Sequence, residues 1–143
     1  VSNLRATARA LSIFFASLCA NVALAQATQL EIDAAKLRLR FATEHTYLLV
    51  ACGYFTEGQE ARRALRVSQL ITLTKDDLAK KISVAEFYNI TANLMTEETV
   101  SSIKKRAKET ATPELCGNDK NTKLAEGLKK IIEIVEPEYG VRK

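Results

Sequence analysis

From Gln26 to Pro113, apolar positions recur in steps of three and four, and no long stretch keeps the step of two of a half-buried strand. The pattern predicts a first helix from about Thr28 to Cys52. Its apolar stripe is Leu30, Ala34, Leu37, Phe41, His45, Leu48 and Cys52, read as the buried face. A second helix starts near Glu57, with Ala61, Ala64, Leu65, Ser68 and Ile71 inward. It loses its pattern at Thr72-Leu73-Thr74, and the β-branched stretch from Val67 to Thr74 is ambiguous by period. Thr74-Lys75-Asp76-Asp77 reads as an N-cap followed by acids that suit the helix dipole. The third helix it opens carries Leu78, Ile82, Ala85 and Asn89 or Phe87 inward and ends near Met95. Thr96-Glu97-Glu98 caps a fourth, with Val100, Ile103, Ala107 and Ala111 inward, stopping around Pro113 to Cys116. The last begins between Asn118 and Lys123, buries Leu124, Leu128, Ile131, Ile132 and Val135, and is ended by Pro137. The fold class is all-α: a four- to five-helix bundle in one domain, residues 26–143.

Residues 1–25 stand apart from that pattern. Arg5 and Arg9 precede an apolar run from Ala10 to Ala25, which closes on Ala23-Leu24-Ala25. A positive start, a short apolar stretch and a small-x-small end describe a cleavable signal peptide, cut before Gln26. The run falls short of the ~20 residues of a membrane-spanning helix, and no later stretch reaches that length. The first residue, Val, fits an alternative bacterial start codon. The expected location is the periplasm or the exterior. Cleavage also changes the charge. The chain holds 21 basic and 17 acidic side chains, and losing Arg5 and Arg9 lowers the formal net charge from +4 to +2. So small an excess, outside the cytoplasm, argues against a nucleic-acid partner.

Export gives the cysteines a meaning. Of three, Cys19 leaves with the signal, and Cys52 with Cys116 make an even pair. An even pair in an oxidising compartment reads as one disulfide. The long loop it closes is worth about 4 kcal/mol in the chain-entropy model. Gly53 and Gly117 follow the two cysteines, as left-handed residues follow helix ends, so the bond should tie two helix C-termini. A strict up-down bundle would hold those ends at opposite poles. The second helix is therefore expected to cross the end of the bundle rather than run its length.

Chemistry is sparse. His45 is the only histidine, so the usual metal set is incomplete, and a core histidine with one hydrogen bond is the simpler reading. It lies roughly 10 Å along the helix from Cys52, too far for a Cys-His pair. Adjacent acids at Asp76-Asp77 and Glu97-Glu98 follow N-caps and do not converge as an acid-base pair. No catalytic residue, metal ligand or cofactor motif emerges, and the expectation is a non-enzyme without a cofactor. Arg62-Arg63-Arg66 and Lys104-Lys105-Arg106-Lys108 are solvated helix faces or sites for an anionic partner. Tyr54 and Phe55, in the turn beside Cys52, are anchors of an interface or a cap folded onto the core. Tyr54, Phe55, Arg62, Arg63 and Arg66 are the partner-binding candidates.

An export signal, Leu48 to Cys52 at the end of a first helix, and Leu115-Cys116 several helices on resemble the disulfide-bearing immunity proteins that neutralise amidase effectors of type VI secretion. The outline is also similar to the periplasmic acid-stress chaperones, although there the cysteine precedes the long helix. The first resemblance implies a protein partner in the cell envelope. The second implies an acid-opened chaperone. A small enzyme acting on an anionic metabolite through the basic clusters is the third alternative.

Overall fold

The computed structural model describes residues 26–75 and 78–135. The expected signal segment, residues 1–25 with Cys19, and Asp76, Asp77 and Pro137 lie outside these residues. The described chain is helical, with no strand: α1 Gln29–Ala51, α2 Gln59–Lys75, a 3-10 turn Leu78–Lys80, α3 Val84–Leu94, α4 Glu97–Thr110, a single-turn α5 Pro113–Cys116, and α6 Asp119–Val135. None of these helices is long and apolar enough to cross a membrane.

Local chemistry sets most of the ends. The Thr28 hydroxyl accepts the Glu31 amide at 3.2 Å, and the Glu31 carboxylate accepts the Thr28 amide at 2.8 Å, a reciprocal capping box. Thr96 and Thr112 cap α4 and α5 through their hydroxyls. At the other end of α1, Cys52 is the C-cap, and Gly53 at φ +82° takes the left-handed turn. Gly117 does not: its φ is −85°. Glycine matters there for another reason, because a Cβ would meet the Pro113 carbonyl oxygen at 3.2 Å.

Helix α2 runs on through the ambiguous stretch to Lys75 instead of stopping at Thr72. Its β-branched residues are satisfied within the helix: Thr72 donates to the Ser68 carbonyl at 2.8 Å and Thr74 to that of Leu70 at 3.0 Å. Thr74 is thus not an N-cap. The cap of α3 is Ser83, in a second capping box with Glu86.

The buried face of α1 also differs from the expected one. Ala35, Leu39, Thr43, Thr46 and Leu49 face the core. Of the larger stripe, Leu30, Leu37 and Phe41 are 80%, 54% and 59% exposed. Two threonines disguise the true face. Their hydroxyls donate to the Leu39 and Ala42 carbonyls at 2.8 Å each, so each presents mainly a methyl group to its neighbours. On α3 and α6 the inward set shifts as well: Ala85 and Asn89 are exposed, and Asn121 and Ala125 are buried where Leu124 is not.

Two clusters form the core. Leu49, Phe55, Ala64, Val67, Ala125 and Leu128 pack near the disulfide. Ala35, Leu39, Leu73, Leu78 and Ile90 pack at the far end. Burying Leu39 or Leu49 contributes about 2–3 kcal/mol each. The pairing of Leu49 with Ala64 and of Leu39 with Leu73 shows that α2 runs antiparallel along α1, rather than across the bundle's end. The change of direction comes later, through the 3-10 turn and the short α3. Helix α4 then runs beside α1 in the same sense, from Met95 near Gln69 and Thr43 to Lys108 near Glu57. That parallel pair brings α5 to the end of α1, where Cys52 and Cys116 are bonded with 5.4 Å between Cα atoms and 64 positions between them in sequence.

Candidate functional site

Residues of α1, α4, α5 and the start of α6 line one common space. The result is an open groove of about 500 Å³. Its apolar surface comes from Phe41 and Leu48 on α1, Ile103 and Ala107 on α4, and Leu115 on α5. The expected stripe of α1 thus reappears here: its C-terminal half lines the groove, and its N-terminal half continues as exposed Leu30 and Leu37. A long helix with apolar residues on two faces has one face more than the other described helices cover.

The groove's polar wall is well ordered. Asn118 accepts the Asn121 amide at 2.8 Å, and the Asn121 side-chain nitrogen donates to the Leu115 carbonyl at 2.6 Å. A carbonyl only accepts, so the orientation of this buried amide is set, and its oxygen faces Nε2 of His45 at 2.8 Å. His45 therefore carries its proton on Nε2 and donates it. The bond spans 76 positions and fastens α1 to α6. Among the described residues, no three His, Cys, Asp or Glu side chains converge as a metal-binding group. Charge at the rim is light. Glu44 is shared by Arg40 at 3.1 Å and Arg106 at 3.7 Å, and Lys120 stands on the α6 side. Among the described residues, the balance of lining charges, Glu44 against Arg106 and Lys120, is positive by one.

The five partner-binding candidates separate. Phe55 is 2% exposed and belongs to the core cluster, so the turn folds under instead of projecting. Tyr54 is half-buried, and its hydroxyl donates to the Cys116 carbonyl at 2.6 Å, with Thr122 Oγ1 at 3.0 Å. It latches the disulfide end of the molecule. Arg62, Arg63 and Arg66 are all exposed on α2. Arg62 alone of the three lines a second, smaller hollow, on the α2 side of α1.

Among the described residues, two carboxylates are held below their ordinary range. The Lys81 ammonium, 2.6 Å from Glu31, is the main cause for Glu31, with the Thr28 amide next. The Thr56 hydroxyl and amide, at 2.5 and 2.6 Å, lower Glu60. Both stabilise helix starts rather than a reactive centre.

The groove was not legible as a groove. Its residues come from four helices; Phe41, His45 and Leu48 shared one visible pattern and Ile103 and Ala107 another, but both were read as buried faces. No protein-family model, curated protein or solved structure matches the chain.

Proposed function

We propose that this chain is an exported, periplasmic or secreted, non-enzymatic helical protein that binds a partner protein, in the manner of an inhibitor or immunity protein. The observation that carries the reading is the apolar stripe of α1. It is left exposed at Leu30, Leu37 and Phe41 and runs into a groove floored by Leu48, Ile103 and Leu115. An exposed apolar surface continuous with a groove is the usual form of a protein-recognition site. The disulfide beside it fits an oxidising compartment. The positive balance of the rim favours a partner segment that places an apolar side chain in the groove and an acidic one near Arg106 and Lys120.

Phe55 no longer belongs to the recognition surface in this reading, and Phe41 takes its place. The test is capture from native envelope extract by the oxidised protein at neutral and acidic pH. One stoichiometric partner at neutral pH, lost with Phe41→Ser, is the expected result. Many unrelated clients, bound only in acid, would replace the dedicated binder with a stress chaperone.

A further inference from the structure

Two basic clusters that are far apart in sequence meet on the other side of α1. Arg62 of α2 and Lys104 and Lys108 of α4 surround a hollow of about 130 Å³ at the C-terminal end of α1. Val50, Ala51 and Ala61 give it an apolar floor. Gly58, at φ +100°, leads α2 into the wall, so the positive end of that helix's dipole lies at the hollow. Among the described residues, the one acid there is Glu57, 3.6 Å from Lys108, and both side chains are more than two-thirds exposed. Such an ion pair is weak and readily exchanged. Lys104 is held over the Tyr47 ring, 5.5 Å from its centroid. Partial burial raises the Tyr47 phenol above its ordinary range; like any phenol it is neutral at physiological pH and has an O–H to donate.

We propose that this hollow binds the phosphate group of a small phosphomonoester or a lipid headgroup. Three cations against one carboxylate leave a surplus of two positive charges, the complement of a phosphate dianion rather than a single carboxylate. Arg62 supplies a planar fork of N–H donors, Lys104 and Lys108 supply point charges, and the floor accepts an apolar substituent on the ester. The site lies apart from the groove and does not depend on a protein partner there.

The experiment is an amide NMR titration of the oxidised protein at constant ionic strength. The probes are inorganic phosphate, phenyl phosphate and benzoate. Saturable shifts centred on Gly58, Ala61 and Lys104 are expected. Phenyl phosphate should bind more tightly than inorganic phosphate, because of the floor, and more tightly than benzoate, because of its charge. Arg62→Gln with Lys104→Gln should weaken phenyl phosphate by about tenfold or more, and Arg66→Gln should not weaken it. An unchanged thermal melt in the double variant excludes loss of fold. Shifts that grow linearly and spread over every exposed lysine and arginine, or equal affinity in the double variant, would overturn the site. Co-sedimentation with phosphatidate vesicles, lost in the double variant, would assign the phosphate to a lipid headgroup. Saturable phenyl phosphate binding without vesicle recruitment would assign it to a free phosphomonoester. Either supports the site.

Discussion

Phe41 and Phe55 carry the same side chain in opposite surroundings. Phe55 fills the core cluster near the disulfide, with Lys129 over its ring at 5.7 Å. Phe55→Ala should lower unfolding stability by about 3–5 kcal/mol, the range for a deleted core aromatic. Phe41→Ser should change stability by no more than ~0.5 kcal/mol, because it removes a surface contact only. Paired urea denaturation curves check both, and a large loss for Phe41→Ser would place that ring in the core after all. Sequence reading placed Phe41 on the buried stripe of α1 and left Phe55, in the turn, open between an interface anchor and a core cap. What surrounds each depends in part on residues far along the chain: Ala125 and Leu128 for Phe55, Ile103 and Ala107 for Phe41. The same holds for Arg62, whose companions at the hollow are on α4.

At the scale of elements, the legible parts were those governed by neighbours in sequence. Thr96 was readable as a cap, and Thr28 as the start of α1, because capping involves residues close in sequence. The end of α1 at Cys52 was readable because Gly53 follows it. Which face of α1 turns inward was not, because its two apolar stripes compete and the smaller one contains threonine. Helix starts also set the acid response. Glu31 and Glu60 are held below the ordinary carboxylate range in the folded protein. A lowered folded value stabilises above the unfolded value and is lost as pH falls through the folded one. Their contribution should therefore be complete at neutral pH and fade below about pH 4.5, the ordinary value for glutamate. Urea midpoints measured from pH 6 to pH 2 should fall on acidification, and less steeply in Glu31→Gln. An identical acid limb in that variant would remove Glu31 from the account.

For the whole molecule, the decisive features are the disulfide and the uncovered stripe. The bond joins the ends of α1 and α5 and encloses most of the described chain. Cys52→Ser with Cys116→Ser should reduce stability by about 4 kcal/mol, an upper-end value for a loop of this length. Matching denaturation curves with and without reductant measure it. A loss well below 1 kcal/mol would mean that native packing alone holds the two ends together. The all-α class and the cysteine pair were legible because helix propensity, and the even cysteine count left once Cys19 is set aside with the expected signal, act without knowledge of topology. The path of the chain was not. An antiparallel α2 and a parallel α4 depend on where the 3-10 turn and α3 reverse direction. No residue pattern marks that reversal, although Ser83 with Glu86 marks the start of α3.

The measurement that tests the central claim most directly is site-specific photocrosslinking in native envelope extract. One probe replaces Phe41 in the stripe, and the other replaces Val84, an apolar and still more exposed position on α3. The account predicts a single crosslinked species of defined mass from position 41 at neutral pH and none from position 84. Equal, heterogeneous crosslinking from both positions would show ordinary surface stickiness and contradict a recognition site on α1.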